Sequence, residues 1–221
     1  MTHRRVIAVA APIGGGKSAL VNALSAALGD AASSPAPILR FDDYENATRQ
    51  PVAQLSQWLA DGADFNRLEA PGLADALQAL REGRGIAAQP GTFTTASTGA
   101  SASAAWIVLE MPLGRAWQAT AAAIDVLVWV DVPLDIALAR RLQELTAGLI
   151  QQSSAEARRG LAWMNDYLGH YTGTIHAVLQ AQHQVVRPGA DLLVDGQRDV
   201  GSLCQQVLQH LEQLENLEQT A

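Results

Sequence analysis

Short runs that are apolar at every position alternate with longer stretches of helical spacing along the chain. Residues 6–10, "VIAVA", suit a strand buried on both faces of a parallel sheet. Leucine or valine at positions 20, 21, 24 and 28 then repeats at helical spacing. The runs "ILRFDDY" (38–44), "WIVLE" (106–110), "AIDVLVWVDVP" (123–133) and "ADLLVDG" (190–196) predict four further strands. Between them, "PVAQLSQWLADG" (51–62) and "PGLADALQALREG" (71–83) predict helices, each closed by a glycine. Helix is also predicted over 134–145 and 161–182, and from about residue 201 to the C-terminus. Strands alternating with helices imply right-handed crossovers and a parallel α/β sheet in one domain spanning 1–221.

Two stretches break this rhythm. Residues 84–105 are rich in Gly, Ser, Thr and Ala, too long for an idle connection, and are expected to bind an acceptor molecule. Residues 146–160, "TAGLIQQSSAEARRG", read as a polar pause between helices and a candidate lid. In the last helix, Val200, Cys204, Val207, Leu211 and Leu214 repeat with four-three spacing. That stripe suits a coiled-coil dimer contact or packing on the sheet, and packing is the expectation, leaving monomer or homodimer open.

The first strand runs into "APIGGGKS" (11–18), the glycine-rich pattern of a phosphate loop with alanine at its first position. Gly14, Gly15 and Gly16 permit the positive φ that gathers backbone N–H groups around an anion. The helix starting at Lys17, Ser18 and Ala19 adds its partly positive end. Lys17 would reach the β- and γ-phosphates of a nucleoside triphosphate, and the Ser18 hydroxyl would bind Mg²⁺.

Carboxylates follow at other strand ends, where ligands of open α/β sheets bind. Asp42 and Asp43 close the second strand, and Glu110 closes the third. Such groups can link to Mg²⁺ or take a proton from an attacking hydroxyl. The alternatives are capping for the aspartates and a local salt bridge for Glu110. Arginines at 140, 141, 158 and 159 offer charge for a transferred phosphoryl group, with at most one of Arg140 and Arg141 expected to face the site squarely.

Composition narrows the function. A net charge of −7 and a pI of about 5.1 argue against broad nucleic-acid binding. A single cysteine, Cys204, cannot form an internal disulfide and fits a reducing cytoplasm. No apolar run is long enough to span a bilayer, and a cleaved leader at the basic N-terminus would remove the phosphate loop. The guanine-reading Asn-Lys-x-Asp motif is absent, which weighs against a GTPase. His170, His176 and His183, spaced by six and seven, form no chelating pair on their helix and read as exposed polar positions.

Taken in order, these motifs resemble the uridine kinase and phosphoribulokinase family of phosphate-loop kinases, near pantothenate and glycerate kinases. The resemblance rests on "APIGGGKS", "RFDDYE", "DFNRLEAPGLADALQALREGRGI", "IVLEMPLG" and "IDVLVWVDVPLDIALARRL". It implies strand order 2-3-1-4-5, a helical lid, ATP and Mg²⁺, and a small-molecule hydroxyl acceptor. It also implies roles: Asp42 as catalytic and metal-linked acid, Lys17 and Arg141 at the transferred phosphate, Ser18 and Glu110 at the metal, Arg140 and Arg158 at the nucleotide. Two features depart from the family: "RRLQELTAG" lacks the arginine-aspartate of the uridine kinase lid, and residues 87–103 offer hydroxyls but only Phe93 as a ring. The expectation is therefore a kinase for a compact, polyhydroxylated alcohol, against a nucleotide-binding regulator with little activity.

Overall fold

Apolar runs that cannot be satisfied singly lie side by side in one sheet. The structure, a computed structural model, describes residues 3–29, 34–45, 52–86 and 104–220. Its strands are β1 (Arg5–Ala10), β2 (Ile38–Arg40), β3 (Trp106–Glu110), β4 (Val126–Asp131) and β5 (Leu192–Asp195). Its helices are α1 (Lys17–Ala27), α2 (Val52–Ala60), α3 (Leu73–Arg81), α4 (Gln118–Ala121), α5 (Leu134–Ile150), α6 (Ser154–His170), α7 (His176–Val186) and α8 (Val200–Thr220). All four strand pairings are parallel, in the order β2-β3-β1-β4-β5. That is the predicted α/β fold and sheet order.

Alternation along the strands divides the core into two layers. Ala8, Leu39, Leu109 and Trp129 point to the face covered by α3 and α7. Ile7, Val9, Val108 and Val128 point to the face covered by α1 and α8. On α8, Leu203, Cys204, Val207 and Leu211 are buried against that face, and Leu214 packs partly on it. From Cys204 to Leu214 the four-three stripe is thus met by the sheet and α1, as expected, while Val200 at its start is exposed.

Two expectations need correction. β2 ends at Arg40, and Phe41–Asp43 forms a tight 3₁₀ turn, so Asp42 and Asp43 stand on a turn beyond the strand. The pause expected over 146–160 shrinks to residues 151–153, because both flanking helices satisfy their own polar groups. The Thr146 hydroxyl donates to the Leu142 carbonyl at 2.8 Å, one turn back. Ser153 and Glu156 form a capping box that starts α6 at once. The result is a two-helix hairpin in which α6 buries none of its residues. Further on, the helix expected through residue 182 passes through a π-turn at Tyr171–Ile175. The expected acceptor stretch lies, for residues 87–103, outside the described residues. Among the described residues, no helix is long and apolar enough to cross a membrane.

Leu211 is 3 % exposed against the sheet and Leu217 is 65 % exposed one and a half turns later. Leu211→Ala should lower stability by about 2–5 kcal/mol in urea unfolding. Leu217→Ala should change it by less than about 0.5 kcal/mol. Similar losses from both would mean that α8 is anchored by something other than the sheet.

Candidate active site

The glycine-rich loop leaves the carboxyl end of β1 and turns into α1 under two steric demands. Gly14 has φ +77° and a side-chain carbon there would lie 2.0 Å from the Ala137 carbonyl oxygen of α5. Only glycine admits both the left-handed backbone and that approach. Gly16, φ +90°, caps α1 without a side-chain hydrogen bond, and the first turn carries no acid. The amide N–H groups at the start of α1 are thereby left for an anion. Gly15 donates its N–H to the Pro12 carbonyl at 2.9 Å, which closes the turn beneath them.

A cavity of about 380 Å³ opens over this loop. Gly14, Gly16, Lys17, Ser18, Ala19, Asp42, Glu110, Arg140 and Arg141 all line it. Gly15 lies buried under its floor, and Glu144 joins the wall by pairing with Arg141 at 2.8 Å. Both arginines of the pair reach the cavity, where one was expected to face it squarely. Arg140 is also tied to the Gly196 carbonyl beyond β5, at 2.7 Å. Arg158 is not brought here. It borders a separate depression on α6 with Ser154, Ala155, Arg159 and Ala162.

Glu110, 5 % exposed at the end of β3, uses both carboxylate oxygens. Oε1 accepts from the Ser18 hydroxyl at 2.8 Å, and Oε2 accepts from the Arg40 guanidinium. The salt bridge considered as the alternative role of Glu110 is therefore present, beside its contact with the phosphate loop. Arg40 was not singled out in the sequence, although a charged residue closing an apolar strand is a signal. Its other nitrogen donates to Asn22 on α1 at 2.8 Å, while its Nε finds no partner. Gln182 was missed as well. It is buried on α7 and donates to the carbonyls of Ala11 at 3.1 Å and Pro112 at 2.7 Å, pinning the loop to the end of β3.

Lys17 and Asp42 are both held away from their ordinary protonation equilibria. Desolvation lowers the Lys17 pKa and the nearby Arg141 adds to this, while Glu110 and Asp42 oppose it. The Asp42 side chain is open to the cleft, yet the protein packed around it crowds out bulk water and raises its pKa. Lys17 opposes that rise, and Glu110, Glu45 and Asp43 reinforce it. Ser18, Asp42 and Glu110 supply hard oxygen donors of the kind Mg²⁺ takes when phosphates complete its shell. Among the described residues, no cluster of three or more His, Cys, Asp or Glu could hold a metal ion. The three helical histidines have separate neighbours: His170 meets Asp166, His176 the Tyr171 ring, and His183 Asp131. A second cavity, of about 660 Å³, lies between α7 and the ends of β4 and β5, and there Arg187 pairs with Asp131 at 3.0 Å. It lacks an anion-binding loop.

No protein-family model matches the chain, and no curated protein matches its sequence. Solved structures do share its fold. A protein assigned as a fructose transport system kinase from Silicibacter sp. TM1040 superposes with a TM-score of 0.55 at 20% identity, over 88% of this chain and 91% of that one. A gluconokinase from Sinorhizobium meliloti 1021 superposes with a TM-score of 0.50 at 12% identity, over 100% of this chain and 99% of that one. The chain therefore has the fold of these kinases, and the likeness does not single out the uridine kinases.

The raised Asp42 pKa gives a stability test with a definite sign. A carboxyl raised above its unfolded value favours the fold most at pH below that value. The contribution is lost as pH climbs through the folded value. Asp42→Asn removes the ionisation, so it should raise Tm at pH 7. The difference should vanish in acid, below the usual carboxylate range. A lower Tm at pH 7 would reverse the direction assigned to Asp42.

Proposed function

We propose that the protein is an ATP- and Mg²⁺-dependent kinase that phosphorylates a hydroxyl of a small polyhydroxylated metabolite, of the sugar or sugar-acid class. One observation carries this reading. The anion-binding loop and a carboxyl of raised pKa open into the same small cavity, with Lys17 between the two in charge. Regulators that only hold a nucleotide need the first feature and not the second.

The residues divide the work as follows. Backbone N–H groups at the start of α1, from Gly16 to Ala19, hold the phosphate oxygens, and Lys17 lies against the β- and γ-phosphates. Asp42 accepts the proton of the acceptor hydroxyl as its oxygen bonds to the γ-phosphorus. The bond from that phosphorus to the β–γ bridging oxygen breaks, and its electron pair leaves with ADP. Arg140 and Arg141 face the charge on the transferring group. Ser18, with Asp42 and Glu110 nearby, would hold Mg²⁺, which when bound would supply charge neutralisation on the phosphates. A raised pKa suits a base that must be ionised yet still able to take a proton. The sugar and sugar-acid class is supported by the hydroxyl-rich, ring-poor stretch at 87–103 and by the descriptions of the two structural neighbours, one assigned as a fructose transport system kinase and the other a gluconokinase. A second reading, a nucleotide-binding regulator of low activity, is favoured by one observation: the Glu110 carboxylate is engaged by Arg40.

Lys17→Ala should leave unfolding cooperative but weaken ATP binding and remove nearly all turnover. Turnover within a few-fold of wild type would show that the loop does not act in catalysis. Asp42→Asn should lower kcat by roughly 10²-fold or more, the scale of a positioned general base. Asp43→Asn should keep most of kcat. Because Asp43 helps to raise the Asp42 pKa, its neutralisation should move the acid limb of kcat/KM to lower pH. A larger kcat loss in Asp43→Asn than in Asp42→Asn would transfer the base to Asp43.

The acceptor is tested with ATP-Mg²⁺ against hexoses, pentoses, gluconate, glycerate, pantothenate, uridine and cytidine. A sugar or sugar acid should give the highest kcat/KM. Uridine ahead of every other compound would return the chain to the uridine kinases, and no phosphorylation of any compound would favour the regulator.

A further inference from the structure

The proposed kinase reading gives Arg40 no task. Arg40 ends β2 in direct register with Glu110 on β3, and its side chain is only 14 % exposed beside a carboxylate 7 % exposed. With Ser18 on one oxygen and Arg40 on the other, both Glu110 oxygens are already engaged by donors. The guanidinium is held to α1 through Asn22, but its Nε–H is buried without an acceptor.

We infer that Arg40 is a resident counter-cation for Glu110, which keeps divalent metal from binding at Ser18 and Glu110 until nucleotide phosphates bring it. The inference rests on reading the cavity as a nucleotide–metal site. Coulomb repulsion between a guanidinium and a divalent cation sharing one carboxylate is large at such separations, even with substantial screening. Lys17 lies close enough to Glu110 and Asp42 to feel both carboxylates, so the free site carries compensated charge rather than an open acidic cluster. Triphosphate supplies the missing negative charge, and metal and nucleotide then bind as one unit. Arg40 is in this account a positioning residue: it acts through Glu110 and need not touch the nucleotide.

The test is Mn²⁺ binding, read by electron paramagnetic resonance on folded protein with and without a non-hydrolysable ATP analogue. Wild type should bind Mn²⁺ weakly alone and at least ~10-fold more tightly with the analogue. Arg40→Met should tighten nucleotide-free Mn²⁺ binding by ~10-fold or more, and Arg40→Lys should stay near wild type. Adding Glu110→Gln to Arg40→Met should abolish the gain. If Arg40→Met does not fold, Asn22→Ala, which loosens the guanidinium, should shift nucleotide-free affinity in the same direction by a smaller factor. Unchanged or weaker Mn²⁺ binding in folded Arg40→Met, or in Asn22→Ala where the first variant is unfolded, would overturn the inference. Failure of the analogue to bind wild type at all would instead overturn the nucleotide reading on which it rests.

Discussion

The site is organised around one buried carboxylate. Glu110 ends β3, and the sheet order places β3 between β2 and β1. From there it reaches Arg40 at the end of β2 and Ser18 at the start of α1. Three chain segments that meet only in the folded sheet are thus joined through a single side chain. A carboxylate this deep is tolerable only when its oxygens are paired, and removing one partner of such a pair costs several kcal/mol. The position of Ser18, and with it the register of the phosphate loop over the sheet, follows from that requirement.

A second constraint runs through the backbone. The loop and α5 approach so closely at Gly14 and Ala137 that neither can shift without the other. Since α5 carries Arg140 and Arg141, the cations on the far wall of the cavity are set by the same contact. Beyond Arg141 the hairpin of α5 and α6 buries little, for α5 buries only Ala137 and α6 no residue, although the Tyr167 ring of α6 packs against the buried Tyr171.

The strands and the loop were legible in the sequence because each is written in adjacent residues. "VIAVA" is apolar on both faces, and "GGGKS" carries its own geometric demand. The pairing of Arg40 with Glu110 was not legible, because 70 residues separate them and only the strand order makes them neighbours. The polar stretch 146–160 misled for a local reason: the Thr146 hydroxyl folds back onto the Leu142 carbonyl within α5, and the Ser153–Glu156 box starts α6, so polar residues there belong to helices rather than to a loop. The four-three stripe on α8 was ambiguous in principle, since a sheet and a partner helix ask for the same spacing.

The charges of the cavity gain their meaning from which of them are already paired. The protein as a whole is acidic, yet Lys17, Arg140 and Arg141 converge on a space of about 380 Å³. Arg141 is engaged by Glu144, Arg40 by Glu110, and Arg140 by a backbone carbonyl. Lys17 has only a long 3.5 Å contact to the Pro12 carbonyl, and desolvation works against its charge. Of the cations lining the cavity, Lys17 is therefore the least engaged, while Arg140 and Arg141 already hold a carbonyl and a carboxylate. The positive side chains of the cavity are thus balanced by Asp42, Glu110 and Glu144, which line it with them.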